Sequence, residues 1–231
     1  MTMLRIGGLT PLSTTDWPGM LAAVVFCQGC PWRCGYCHNP GLIPPRGEHE
    51  IPWEEVMAFL RRRQGLLDGV VFSGGEPTLQ AGLADAMRDV RDLGFKIGLH
   101  TGGMVADNLA AVLPLLDWVG LDVKAPLADY SRITGAAGSG ERAYAGLQQV
   151  LASGVDHEIR TTVHPALLGD ADLADLARDL AARGVRHYVI QAFRSQGCRD
   201  ESLCRNMVRA RPLQEAGVEL AGLFENFAVR A

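Results

Sequence analysis

Leu21-Ala22-Ala23-Val24-Val25-Phe26 runs without a break into Cys27-Gln28-Gly29-Cys30-Pro31-Trp32-Arg33-Cys34-Gly35-Tyr36-Cys37-His38-Asn39-Pro40. The first stretch is apolar with a β-branched centre and has the length of a strand buried on both faces, so it predicts a parallel-sheet strand. The second is a loop that carries four of the chain's six cysteines, the others being Cys198 and Cys204. In α/β sheets and barrels the loops at the carboxyl ends of strands carry the chemistry, and this loop stands in such a place.

Outward from this unit the pattern repeats. Further strands are predicted at Val70 to Ser73, Phe95 to His100, Trp118 to Val123, His157 to Val163 and His187 to Ala192. Amphipathic helices are predicted at Pro52 to Arg63, Leu79 to Leu93, Val105 to Leu116, Arg142 to Ala152, Asp172 to Arg183 and Asn206 to Ala216. Gly94, Gly154, Gly184 and Gly217 stand where a chain leaves a helix in a left-handed turn. Ser/Gly-rich residues 135 to 140 read as a mobile connection inside one domain spanning 1–231. Six βα units make an α/β fold, either an open doubly wound sheet or an incomplete relative of the eight-fold barrel, and periodicity does not separate the two.

Composition excludes several classes. The 231 residues carry 22 Lys plus Arg against 26 Asp plus Glu, a net charge of −4, with 48% hydrophobic and 21% charged residues. That balance is globular, and it supplies no basic surface for nucleic acid. Met1 to Thr10 has no apolar core of a leader, and runs such as Met20 to Cys27 are too short for a membrane span of about 20 residues. The expectation is a cytoplasmic protein with no membrane partner. Clustered thiols in such a chain read as metal ligands, not as a disulfide framework.

Cys30, Cys34 and Cys37 have three and then two residues between them, a spacing that lets one loop fold three thiolates around a soft metal centre. A cubane iron–sulfur cluster held by three thiolates keeps one iron open for a substrate. The alternative is zinc, since Cys27 with Cys30 and Cys34 with Cys37 form two C-x-x-C pairs. Against zinc, only three residues separate the pairs where about 15–20 are typical, and Cys27 ends a hydrophobic strand. As a small buried apolar residue, Cys27 needs no further role.

Later strand ends add polar residues. Ser73-Gly74-Gly75-Glu76-Pro77 offers two glycines for close backbone approach and N–H donation, and a carboxylate able to accept from a cation such as an amino group. Read alone, it is a turn into a helix started by Pro77. Asp122-Val123-Lys124 places Asp122 and Lys124 on one side of a strand, where the lysine can hold a carboxylate or merely pair at the surface. Arg160 and Gln191 reach the same rim if their side chains point inward. His38 is either a fourth metal ligand or a residue that positions backbone. Cys198 and Cys204 cannot complete a second cluster by themselves; they are incidental or a redox pair.

C-x-x-x-C-x-x-C after a first strand, with aromatic Tyr36 before the last cysteine, resembles the signature of the radical S-adenosylmethionine (SAM) enzymes. The resemblance implies a partial (βα)6 barrel, a [4Fe-4S] cluster on Cys30, Cys34 and Cys37, and SAM as cofactor. It also implies that Gly74, Gly75 and Glu76 hold the methionyl amino group and that Tyr36, Cys37, His38, Arg160 and Gln191 line the SAM site. Within the superfamily the chain is similar to activases of glycyl radical enzymes, whose Asp-x-Lys, here Asp122 and Lys124, lies at the SAM and substrate-glycine site as the catalytic pair. Thr15-Asp16-Trp17-Pro18-Gly19, Gln28-Gly29-Cys30 and Cys37-His38-Asn39-Pro40 look most like activases of anaerobic ribonucleoside-triphosphate reductase; pyruvate formate-lyase activases share the cysteine loop but usually lack Trp17. His100-Thr101-Gly102-Gly103 departs from a Thr-Asn-Gly-like pattern, and no cysteine falls between Cys37 and Gly74, so the ferredoxin-like insertion of some activases is missing. The implied chemistry is reductive cleavage of SAM and removal of hydrogen from a backbone glycine. Its partners are a glycyl radical enzyme, expected to be anaerobic ribonucleotide reductase, and a flavodoxin- or ferredoxin-like electron donor. Other readings are a plain electron-transfer module or a radical SAM enzyme acting on a small molecule, such as one building a deazapurine.

Overall fold

The computed structural model describes residues 4–206 and 212–230. Its sheet has eight strands in sequence order: β1 (Ile6–Ser13), β2 (Ala22–Cys27), β3 (Gly69–Gly74), β4 (Lys96–Thr101), β5 (Trp118–Asp122), β6 (Asp156–Val163), β7 (His187–Ala192) and β8 (Asn226–Arg230). β1 runs antiparallel to β2, and every later neighbour is parallel. Side chains from β2 through β8 line one cavity, so the sheet curls around it, while β1 and β8 remain its two edges. The fold is therefore α/β with an open, partial barrel. Six βα units were expected and are present, flanked by two strands that the apolar pattern does not reveal. β1 is interrupted by Gly7, Gly8 and Pro11, and β8 is five residues long.

Alternation along the strands divides the interior in two. Val25, Cys27, Val70, Phe72, Ile97, Leu99, Val119, Leu121, Ile159 and Ile190 point outward into one continuous core under the helices. Each helix answers with a matching stripe. α2 (Leu83–Asp92) buries Leu83, Ala86, Met87 and Val90, and α6 (Asp170–Ala182) buries Leu173, Leu176, Ala177 and Leu180. α1 (Trp53–Arg61) and α3 (Ala106–Val112) lie within their predicted ranges.

The inner face has a separate apolar floor of Trp17, Ala22, Val24, Val71 and Trp118. Trp17 stacks on Trp118 with ring centroids 5.7 Å apart. Gly69 and Gly98 make room for it, because a Cβ at either would stand 2.9 Å from the Trp17 ring.

Four expectations need correction. Residues 135–140 are not a mobile connection: Gly135 ends α4 (Tyr130–Thr134) in a left-handed turn, and α5 (Ser139–Ser153) already starts at Ser139, whose buried hydroxyl lies 2.6 Å from that of Thr134. The predicted helix at 206–216 is replaced by α7 (Glu201–Arg205), capped by the Asp200 carboxylate, and α8 (Leu213–Ala221). Its stretch 207–211 lies outside the described residues. Gly217 sits inside α8 instead of ending a helix, because a Cβ there would come 2.6 Å from Val229 on β8. Pro77–Leu79 forms a separate 3-10 turn, so the helix predicted from Leu79 begins at Leu83. Gly94, Gly154 and Gly184 do take left-handed backbone conformations at helix ends.

Candidate active site

The loop after β2 is tied down by its own backbone. Gly29 N–H donates to Leu42 O, Cys30 N–H to Ile43 O, and Cys37 N–H to Cys34 O. Gln28 stitches the next turn with side-chain bonds to Gly41 O (3.1 Å) and Pro44 O (2.7 Å). This folding brings Cys30, Cys34 and Cys37, all half-buried, to the wall of a cavity of about 640 Å³. Cys27 is fully buried and faces the helices on the opposite side of the sheet, so it does not join them. The four-thiolate zinc reading fails on that geometry. Nor do the three thiols converge on a point: among the described residues, no three His, Cys, Asp or Glu side chains sit close enough to share one ion.

The thiols match a multi-metal centre in charge as well as in placement. Burial pushes the Cys30 thiol up to about 11 and raises Cys34 as well, although the Lys124 ammonium pulls both the other way. Thiolates in such surroundings need positive metal to stabilise them. Tyr36 Oη and Trp32 Nε1 are buried without a hydrogen-bond partner among the described residues. A buried polar atom of this kind costs stability unless something pairs with it, and Tyr36 and Trp32 both line the cavity. The residues therefore fit a thiolate-held cluster with a polar molecule beside it.

The second loop behaves differently from its reading as a donor of N–H groups. Gly75 N–H is spent on Cys27 O and Glu76 N–H on Gly29 O, each at 2.9 Å. Gly74 (φ +115°) and Gly75 are needed because a Cβ at either would collide with the backbone of Cys27 or Gly29. The close approach that the glycines permit is thus between two loops of the chain. The Glu76 side chain is also occupied. It is 1% exposed, and Oε1 accepts from Thr78 N (3.0 Å), Thr78 Oγ1 (2.6 Å) and Thr101 Oγ1 (2.6 Å), while Oε2 accepts from Gly102 N (2.9 Å). Glu76 clasps the loop after β4 to the loop after β3, and its carboxylate is not laid open to a ligand amine. Gly74, Gly75 and Glu76 still line the cavity.

Asp122, Lys124 and Arg160 meet on the inner wall. Arg160 Nε donates to Asp122 Oδ1 at 2.8 Å, and Lys124 Nζ lies 3.7 Å from Asp122 Oδ2. Burial alone would raise the Asp122 carboxyl, but Arg160 and then Lys124 hold it below the usual carboxylate range. Burial opposes the Lys124 charge, yet Tyr36 and Asp122 beside it keep its pKa well above the ordinary lysine value. Lys124 also lies over the Trp32 and Tyr36 rings, at 6.0 and 5.9 Å from their centroids. Gln191 lines the same cavity, two strands away from Asp122. His38 lines it too, but its Nε2 is 3.0 Å from Arg194 O and its ring stacks on Phe193.

Other residues line the cavity besides those singled out as site candidates. Thr15, Asp16, Ser73, His100, Thr162, Arg194 and Arg230 complete the wall. His100 Nε2 lies 2.7 Å from Asp16 O, a carbonyl that can only accept, so Nδ1 is left to accept from Ser73 Oγ at 3.3 Å. Burial, reinforced by Arg160, drives the His100 pKa down to about 3 and keeps the ring neutral. Arg230 forks onto Glu158 with two bonds of 2.7 Å. Inward alternation along the strands points to Ser73, His100 and Thr162; Thr15, Asp16 and Arg194 lie outside the strands, and for Arg230 the signal was hidden because β8 was not foreseen.

Comparison with known proteins agrees with this geometry. The family model of the Radical SAM superfamily matches residues 24–186. The pyruvate formate-lyase-activating enzyme of Clostridium pasteurianum is 36% identical over 173 residues, 72% of this chain and 71% of that protein. MJ1227 of Methanocaldococcus jannaschii, named for glycyl-radical enzyme activation, is 28% identical over 238 residues, 97% of this chain and 95% of its own length. SuiB of Streptococcus suis bound to S-adenosylmethionine shares the fold at TM-score 0.67 and 13% identity, over 88% of this chain and 48% of SuiB, so the chain spans about half of that protein. QueE of Escherichia coli shares it at TM-score 0.56 and 17% identity, over 89% and 92%. A family match that runs from β2 to the residue before β7 takes in the thiol loop and the strands carrying Asp122 and Arg160: the chain belongs to the Radical SAM superfamily, whose members use a [4Fe-4S] cluster and SAM, and it is homologous to activating enzymes of glycyl-radical enzymes.

Proposed function

We propose that this chain is a radical SAM activase that installs a glycyl radical on a partner enzyme. The observation that carries the reading is that Cys30, Cys34 and Cys37 line the same cavity as Asp122, Lys124 and Arg160, while Cys27 faces away. When bound, the cluster and SAM supply one-electron reductive cleavage and a carbon radical able to take hydrogen from a backbone glycine.

The chain's own residues bind and orient. Cys30, Cys34 and Cys37 would hold the cluster. Gly74, Gly75 and the backbone of Glu76 form the wall beside the methionyl group, and the Glu76 carboxylate keeps that wall rigid through Thr101 and Gly102. Lys124 stands where it can meet a carboxylate, and Asp122, itself held by Arg160, fixes the lysine's position. Tyr36, His38 and Gln191 complete the lining. Positioning of this kind is where a protein adds most to cofactor chemistry.

The partner follows from finer features. Thr15 to Gly19, with Trp17 on the barrel floor, favours anaerobic ribonucleoside-triphosphate reductase, with a flavodoxin- or ferredoxin-like protein as electron donor. The 36% identity to a pyruvate formate-lyase-activating enzyme favours a second reading, activation of a pyruvate formate-lyase. Protein purified under argon should contain about four irons and four sulfides. Incubated with reductant, SAM and each candidate partner, it should give a glycyl radical signal by electron paramagnetic resonance on the reductase. A signal on the lyase alone would select the second reading. SAM consumed with a metabolite, and no protein radical, would overturn both in favour of a small-molecule enzyme.

A further inference from the structure

The segment after β7 folds back over the thiol loop. Arg194 O faces His38 Nε2 at 3.0 Å, and a Cβ at Gly197 (φ +86°) would collide with the His38 carbonyl. Cys198 Sγ lies 3.4 Å from the carbonyl oxygen of Gly35, which stands between Cys34 and Cys37. Buried Leu203 faces Gly35, where a Cβ would come 3.2 Å from Leu203 Cδ1. Asp200 starts α7 by accepting from Ser202 N (2.9 Å) and Leu203 N (3.2 Å). The helix so started carries Cys204 back to Cys198, placing its Sγ 3.9 Å from Cys198 O. Both thiols are half-buried, whereas Cys27 is sealed in the core.

We propose that Cys198 and Cys204 are a dithiol site oxidised by low-molecular-weight disulfides, and that its oxidation loosens the loop carrying Cys30, Cys34 and Cys37. One protein thiolate attacks the small disulfide and releases one small thiol; the second protein thiolate then displaces the other. Two protein S–H bonds and the reagent's S–S bond are lost, one protein S–S bond forms, and two electrons and two protons pass to the reagent. In the disulfide Cys198 has no hydrogen to donate to Gly35 O, and its sulfur is drawn toward Cys204. The link between the segment and the thiol loop weakens at the point nearest the ligands. This consequence rests on the reading of Cys30, Cys34 and Cys37 as cluster ligands.

The test uses cluster-loaded wild-type protein and its Cys198→Ser variant, each exposed under argon to oxidised glutathione. Serine keeps a hydroxyl to face Gly35 but forms no disulfide. Peptide mapping after thiol alkylation should recover a Cys198–Cys204 disulfide in the wild type. Iron loss to a chelator should become about two- to fivefold faster on oxidation, the scale of a lost weak hydrogen bond, and should be unchanged in Cys198→Ser. The proposal fails if both thiols stay alkylatable, or if oxidation speeds iron loss equally in the two proteins. A wild-type preparation that never takes up iron would overturn the cluster reading, and the peptide map would still decide the dithiol.

Discussion

Asp122 has a cation on each carboxylate oxygen, Arg160 at 2.8 Å and Lys124 at 3.7 Å. Arg160 is buried and Asp122 half-buried, so loss of the guanidinium removes the nearer of the two cations that favour the carboxylate. Arg160→Met should therefore weaken SAM binding and raise the Asp122 pKa, while Arg160→Lys recovers part of both. Calorimetric titration with SAM across pH reads the two together, and an unshifted pH midpoint in Arg160→Met would remove Arg160 from this role. The thiols separate more sharply. Cys30→Ala, Cys34→Ala or Cys37→Ala should each abolish SAM cleavage, measured as 5′-deoxyadenosine formed, whereas Cys198→Ala should retain it. Comparable loss at Cys198 would misplace the metal site. At this scale the sequence is most legible where one loop holds several reactive groups. Cys30, Cys34 and Cys37 declare themselves by spacing, but the work of Glu76 does not, because its partners Thr101 and Gly102 are 25 and 26 positions away.

Strands that carry glycine on the inner face owe it to an indole. Trp17 occupies the space that side chains at Gly69 and Gly98 would take, and Val71 lies between the two positions. Trp17→Ala should cost about 3–5 kcal/mol, and Gly98→Ala about 1–3 kcal/mol by overpacking. In the Trp17→Ala background, however, Gly98→Ala should cost less, because only the contact with Val71 Cγ2 at 3.1 Å remains. Denaturant melts of the four proteins close that cycle, and additive losses would mean that Gly98 is needed for some other reason. The six inner strands were legible because short stretches centred on apolar and β-branched residues alternate with amphipathic helices. β1 and β8 were not, since an edge strand has less to bury and β8 relies on a charged fork, Arg230 to Glu158, that joins residues 72 positions apart. The helix misplaced to 206–216 failed for a related reason: α7 starts earlier at the Asp200 cap, and Gly217 is set inside α8 by contact with β8.

For the whole molecule, acid should be destabilising over a definite window. His100 is neutral when folded, with a pKa of about 3, but free to protonate when unfolded near pH 6.5. The unfolded chain then binds one proton more between those values, so this contribution is complete above about pH 6.5 and is lost as the pH falls toward 3, by at most about 1.4 kcal/mol per pH unit. The depressed carboxyl of Asp122 acts in the same direction at lower pH. Melting temperatures of wild type and His100→Gln from pH 7 to 4 should converge as the pH drops, and parallel curves would refute the assignment. No helix among the described residues is long and apolar enough to cross a membrane.

The paired indoles at the base touch two surfaces. Trp118, stacked on Trp17, also lines a second cleft at the amino ends of β5 to β7. A change at Trp17 is therefore carried to the end of the strands opposite the thiol loop.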